Sequence, residues 1–169
     1  MESWHLLDTT RAGEARRLLT TCCGSTAWVD RMLRRRPFGS RDGLLAAARE
    51  EWLALGPEDW REAFGHHPKI GDREALRARF AVTRHLSERE QAGVDGAPDA
   101  VLDALAEENR RYEQRFGYIF IVCATGLGAG EMLERLRTRL GNSAEQEIRI
   151  AAGEQAKITG LRLKALGEE

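Results

Sequence analysis

The sequence predicts an all-α protein of about eight helices. Apolar residues recur at three- and four-residue spacings through most of the chain, as one buried face of a helix requires. Serine, aspartate and proline stand where such runs begin, and glycine stands where several end, in the order that helix termini prefer. Only "YIFIVCA" at 118–124 breaks this pattern, being aromatic and β-branched like a strand. No second run of its kind exists to pair with it, so it reads as a buried extended segment crossing a helical core.

The elements follow in order. Asp8 or Thr9 is placed to cap a helix carrying Ala15, Leu18 and Leu19. Ser25 is placed to cap the next, with Trp28, Val29, Met32 and Leu33 on one face and Pro37 beyond its end. Ser40 precedes "RDGLLAAAREEWLAL", where Leu44, Leu45, Ala48 and Trp52 fall at helical spacing. Pro57 opens "PEDWREAFG" at a first helical position, and Gly65 stops it. Asp72 caps "REALRARF", and Pro98 opens a long run to about Phe116. Gly141 closes "AGEMLERLRTRLG", and Ser143 begins a final helix reaching about Leu166. No repeat, low-complexity segment or Ser/Pro-rich linker divides the chain. Its 169 residues are therefore expected to form one domain, 1–169, with a sizeable core.

Composition excludes several function classes. Hydrophobic residues are 42% and charged residues 31%, as in a globular rather than a disordered chain. With 26 basic and 27 acidic residues the formal charge is -1, which gives no electrostatic case for nucleic acid. The basic run "RMLRRRP" at 31–37 sits at an expected helix end, where arginines complement the negative pole of the dipole. Cys22, Cys23 and Cys123 are odd in number and form no CxxC pattern, so neither a zinc site nor a redox pair is indicated. No apolar signal core, membrane-length window or C-terminal Ser-Lys-Leu address is present. A cytoplasmic, reducing location is the expectation.

Four stretches are candidates for chemistry. In "FGHHPKIGD", 64–72, Pro68 disfavours the α conformation at His67 and not directly at His66. Gly71 permits a tight turn. Histidine titrates near neutrality and suits proton transfer, but a shaped polar loop is also what any helix-to-helix turn needs. Adjacent side chains diverge, so one histidine at most faces a given pocket. In "LSEREQAG", 86–93, Ser87 and Glu90 have the spacing of a capping box, and Gln91 adds an amide. That structural role and a site role are compatible, because a helix N-terminus holds a carboxylate in one place. Along the last helix, at about 100° per residue, Ala152, Gln155, Ile158, Arg162 and Leu166 fall within about 80° of Ile148. Arg162 is then on an otherwise mostly apolar face, as a buried ion-pair partner or an anion binder. Finally, "ATGLGAGEML" at 124–133 has its third glycine one position early for a dinucleotide fingerprint and lacks a P-loop lysine. His5 and His85 have no metal-ligand spacing, so no metal is expected.

Several of these stretches together resemble the 2-oxo-4-hydroxy-4-carboxy-5-ureidoimidazoline (OHCU) decarboxylases of uric acid degradation. The matching pieces are "CGSTAWVDRMLRRRPF" at 23–38, "HPKIGD" at 67–72, "SEREQAG" at 87–93, "NRRYEQRFGYIFIVCATG" at 109–126 and "EIRIAAGEQAKITGLRL" at 147–163. They span nearly the whole chain. The resemblance implies an all-α, often dimeric enzyme with no metal or organic cofactor. It implies OHCU as substrate, with (S)-allantoin and carbon dioxide as products, in the third step from urate to allantoin. It further implies that His67 and Glu90 are catalytic, and that Ser87, Gln91 and Arg162 contact substrate. Backbone groups of Tyr118, Ile119, Phe120 and Ile121 are expected to line the same pocket. One departure stands out. After "ATG" the family commonly has Lys-Ser or Lys-Asn, whereas this chain has Leu127-Gly128. The expected partners are a small-molecule substrate and a second copy of the chain, not nucleic acid or membrane. The rival readings are a non-catalytic helical interaction module, in which these motifs are only caps, a turn and an ion pair, and another cofactor-free decarboxylase or lyase acting on a related ureido ring.

Overall fold

The computed structural model describes residues 1–69, 74, 76 and 99–168. Among these residues there are eight helices and no strand. They are α1 (Ser3–Thr9), α2 (Ala12–Cys22), α3 (Thr26–Arg35), α4 (Arg41–Leu53), α5 (Pro57–Gly65), α6 (Asp99–Phe116), α7 (Ala129–Leu140) and α8 (Ala144–Ala165). The all-α expectation is met. The chain divides into two units, Met1–His67 with Ile148–Glu169, and Pro68–Glu147. Of the expected helix after Asp72 only Glu74 and Leu76 are described, and both are helical.

In the first unit, α3 packs against α2, α4 and α5. Its N-terminus is closed as the sequence predicts, by Ser25 Oγ accepting from the Trp28 amide at 3.2 Å. Ser40 likewise caps α4, accepting from the Gly43 amide at 2.9 Å, and Pro57 occupies the first turn of α5. Leu7, Leu19, Trp28, Met32, Leu44 and Phe64 are fully buried. Truncating a buried aromatic such as Trp28 to alanine costs about 3–5 kcal/mol. Each indole N–H in this core finds a carbonyl: Trp28 donates to Ala48 (3.0 Å), Trp52 to Ala152 (2.8 Å) and Trp60 to Trp52 (3.1 Å). Such partners offset the desolvation of the indole nitrogen.

Asp8 does not cap α2. That helix starts at Ala12 without a side-chain cap, because Asp8 already lies within α1. Its carboxylate instead accepts from the backbone of Phe38 (2.8 and 3.0 Å) and Gly39 (3.0 Å). The arginine run also has a fuller explanation than the helix dipole. Arg31 and Arg35 pair with Glu50 and Glu51 of α4, and Arg36 donates to the Thr10 carbonyl at 2.5 Å.

In the second unit α6 packs on α7. Gly117, at a φ of 83°, ends α6 in the left-handed region, where only glycine is unstrained. The segment after it has neither helix nor strand. Tyr118, Phe120, Ile121 and Val122 are buried, as expected for a non-helical piece inside a helical core. The "ATGLG" stretch makes a turn in which the Leu127 amide donates to the Ala124 carbonyl at 3.0 Å, with Gly126 at a φ of 78°. Leu127 is itself buried. Where the family commonly carries lysine, this chain therefore places an apolar side chain out of water.

Candidate active site

His67 is held at the end of α5. Phe64, fully buried, anchors the last turn, and the His67 amide donates to the Phe64 carbonyl at 3.2 Å. Glu62, one turn earlier, fastens α5 to the start of α3. Its carboxylate accepts from the Thr26 amide at 2.6 Å and from the Thr26 hydroxyl at 3.1 Å. The two histidines then diverge. His66 lies over Gly24, so closely that a Cβ on that glycine would stand 2.3 Å from the His66 ring. His67 turns to α8, where its Nε2 is 2.5 Å from Oε1 of Gln155.

From Gln155 a chain of polar groups runs along α8. The Gln155 amide nitrogen donates to the Thr159 hydroxyl at 3.0 Å. That hydroxyl donates in turn to the Cys22 carbonyl at 3.5 Å. The same carbonyl accepts from Nη1 of Arg162 at 3.4 Å. Gln155 and Thr159 are buried, at 1% and 5% exposure, so their mutual bond replaces lost water. Arg162 differs from the expectation. It is exposed, and no described carboxylate pairs with it. Its angular position on the buried stripe is as predicted, but direction alone does not say what covers a face. Near the end of α8 the buried positions thin to Leu163 alone. Among the described residues the guanidinium therefore keeps donors that an anion can take up.

The neighbouring thiols are not reactive groups. Burial pushes Cys22 and Cys23 up to about 11, which leaves both protonated at neutral pH and poor nucleophiles. Among the described residues no three His, Cys, Asp or Glu side chains gather into a metal-binding group. A cavity of about 390 Å³ in the first unit is lined by Trp52, Thr159 and Leu161 among others, and neither His67 nor Arg162 lines it.

The second unit holds the other described site candidates, Tyr118 to Ile121. Arg139 organises them. Its Nη1 donates to the Ile121 carbonyl at 2.5 Å, and its guanidinium lies 4.4 Å from the centre of the Phe120 ring. Tyr112 donates to Glu147 at 2.5 Å. Burial, and then that bond, push its hydroxyl far above the usual phenol range, so it stays a neutral donor. Ser87, Glu90 and Gln91 lie outside the described residues, as does their capping box.

Two residues of the network behind His67, its partner Gln155 and that residue's partner Thr159, are absent from the sequence-predicted site. Periodicity puts Gln155 on the buried face without assigning it a role, and it does not single out Thr159. The signal available was polar residues at spacings of four and three, Gln155, Thr159 and Arg162, on one side of a helix.

Similarity to known proteins fits this arrangement. The family model described as OHCU decarboxylase matches residues 8–164. The Arabidopsis thaliana "Uric acid degradation bifunctional protein TTL" is 39% identical over 148 residues, covering 86% of this chain and 45% of that protein. The chain thus spans under half the length of that relative. The 2-oxo-4-hydroxy-4-carboxy-5-ureidoimidazoline decarboxylase of Amia calva is 33% identical over 132 residues, covering 76% of this chain and 73% of the relative. A crystal structure of OHCU decarboxylase in the presence of (S)-allantoin superposes with a TM-score of 0.70 at 34% identity, covering 89% of this chain and 96% of the other. A fold of the same kind occurs in (S)-allantoin synthase, with a TM-score of 0.70 at 18% identity over 95% of this chain and 52% of that one. With a match that runs through His67 and the α8 residues beside it, this chain belongs to the OHCU decarboxylase family.

Proposed function

We infer that the chain is a carboxy-lyase that converts OHCU to (S)-allantoin and carbon dioxide in uric acid degradation. Support comes from the family match over 8–164 and from the likeness to a decarboxylase solved with (S)-allantoin. The observation in this molecule that carries the reading is His67. It is a histidine at a helix end, held by a buried glutamine at 2.5 Å, in the same unit as the exposed Arg162. The reading takes 1–169 as one decarboxylase-type domain.

The chemistry follows from the substrate. Breaking the bond to the carboxylate leaves an electron pair on the ring carbon C4. The adjacent C5=N imine accepts it, so a C4=C5 double bond forms and the imine nitrogen takes a proton. The C4 hydroxyl then gives up its proton as C4 becomes a carbonyl, and C5, which bears the ureido group, gains one. Because the ring supplies its own electron sink, the reaction calls for no external one. Protonation of C5 from one face sets the S configuration. In this scheme His67 polarises the C4 hydroxyl or carboxylate and moves the proton. Arg162 holds a carboxylate or carbonyl oxygen through charge-assisted bonds. Glu90 orients the ring nitrogens, and Ser87, Gln91 and the backbone of Tyr118, Ile119, Phe120 and Ile121 complete the pocket. A homodimer belongs to the reading as a proposal that sedimentation velocity checks.

The test mixes freshly generated substrate with wild type and with His67→Ala while the optical rotation of allantoin is followed. The variant is expected to lose both rate and stereoselectivity. Wild-type rate and wild-type optical purity from His67→Ala would sink the assignment.

A further inference from the structure

We propose that Gln155 is a positioning residue that fixes His67 as the Nε2–H tautomer, so that Nδ1 is the nitrogen that exchanges a proton in the reaction. The inference rests on the reading of His67 as the catalytic group and extends it to a residue that does not touch the reacting atoms.

The argument is one of donors and acceptors. An amide side chain can face His67 with its oxygen or with its nitrogen, and the neighbours decide which. Thr159 Oγ1 lies 3.0 Å from one end of the Gln155 amide and 3.5 Å from the Cys22 carbonyl. A hydroxyl has one proton to give. The carbonyl can only accept, so that proton goes to Cys22, and Thr159 must then accept from Gln155. The Gln155 nitrogen therefore faces Thr159 and its oxygen faces His67. A carbonyl oxygen 2.5 Å from an imidazole nitrogen requires a proton between them. The flipped amide would give Thr159 two acceptors for one proton and set an N–H against Nε2. Gln155 is 1% exposed, so burial leaves a mismatched amide uncompensated at its own end.

The glutamine is itself fixed from behind. One turn before it, the Ala152 carbonyl accepts from the buried Trp52 indole at 2.8 Å, which ties this stretch of α8 to α4. Thr159 one turn later is tied to the end of α2 through Cys22. A neutral amide suits this task better than a carboxylate. It selects a tautomer without drawing a second proton onto the ring, so that Nδ1 keeps its lone pair for general base work.

The test reads the tautomer directly. Long-range nitrogen–proton correlation spectra of the uniformly nitrogen-15-labelled full chain resolve the two ring nitrogens of each of its four histidines, and His67→Gln assigns the relevant pair. The expected wild-type pattern, above the titration of the ring, is a protonated Nε2 and a bare Nδ1. Gln155→Leu is expected to mix the two tautomers. It should lower kcat about ten- to hundred-fold with KM changed much less, as expected when a catalytic group is misplaced by about 1 Å. Gln155→Glu keeps an acceptor and is expected to keep Nε2 protonated. Thr159→Val, which frees the amide to flip, is expected to weaken the preference while thermal melting reports the fold of each variant. A protonated Nδ1 in the wild type, or a Gln155→Leu spectrum identical to wild type, would overturn the proposal. Because the spectrum needs no turnover, it judges the tautomer even if His67→Ala proved fully active. That result would instead remove the functional reading and, with it, any catalytic purpose for the lock.

Discussion

Arg139 and Glu147 form an ion pair at 2.6 Å in which the arginine side chain is 9% exposed and the carboxylate not at all. The pair is not isolated. Tyr112 and Asn142 also donate to Glu147, at 2.5 and 3.0 Å, and Arg139 reaches on to the Ile121 carbonyl. Removing one partner of such a pair strands a buried charge, which costs more than the pair itself contributes. Arg139→Met is expected to destabilise the protein by about 3–5 kcal/mol, measured as a lower urea midpoint at unchanged slope. Arg139→Met combined with Glu147→Leu is expected to recover part of that loss. A single variant as stable as wild type would show that Glu147 is satisfied without the arginine.

His66 and His67 are expected to separate by function. His66 lies against Gly24, so His66→Ala removes a packing contact and should leave kcat within a few-fold of wild type. Gly24→Ala puts a methyl where the His66 ring now stands and should displace the His66–His67 turn. An activity loss of about ten- to hundred-fold is expected from a shift of about 1 Å, checked by steady-state kinetics beside a melting curve. A Gly24→Ala enzyme of full activity would mean that the turn yields without moving His67.

Arg162 is expected to act through binding rather than stability. Its side chain is exposed, and among the described residues it donates to the Cys22 carbonyl. Arg162→Gln should leave the melting temperature nearly unchanged. The loss of a charge-assisted bond to substrate, worth about 1.5–3 kcal/mol, corresponds to roughly a ten- to hundred-fold fall in kcat/KM. Kinetics and melting on the same preparation give both numbers. A large fall in stability would instead assign Arg162 to the scaffold.

The thiols of Cys22 and Cys23 are expected to resist modification at neutral pH, whereas the half-exposed Cys123 labels first. Burial raises both from 9.0 to about 11. The unfolded chain therefore ionises first as pH rises. Their contribution to stability is complete below pH 9 and is lost as pH rises from there through about 11. Counting labelled thiols by mass with and without urea, and urea midpoints between pH 8 and 11, check both parts. Rapid labelling of all three cysteines in the folded protein would contradict the burial.

The start of α8 carries a cap that the sequence reading took only as a starting serine. Ser143 Oγ accepts from the Gln146 amide at 3.2 Å, and the Gln146 side chain accepts from the Ser143 amide at 3.2 Å. This is a reciprocal capping box. Ser143→Ala is expected to cost about 1 kcal/mol, seen as a lower urea midpoint. No change would mean that the first turn of α8 is held by packing alone.

By itself the sequence determined the local rules. Ser25, Ser40 and Pro57 open helices because a side-chain oxygen or a fixed φ suits a helix start whatever surrounds it. The non-helical character of 118–124 followed from residues that pack poorly on helices, and Pro68 already distinguished His67 from its neighbour. Asp8 shows where such rules stop. A cap residue prefers free amides, and which free amides it meets is set by folding, here those of Phe38 and Gly39 rather than its own helix. Periodicity gave Arg162 its direction on α8 but not its exposure, because cover comes from whatever else packs there. The link from His67 to Gln155, 88 residues apart in the chain, could be decided only by the tertiary structure. A hydrogen bond depends on positions to within a few tenths of an ångström, and no spacing along the chain carries that information.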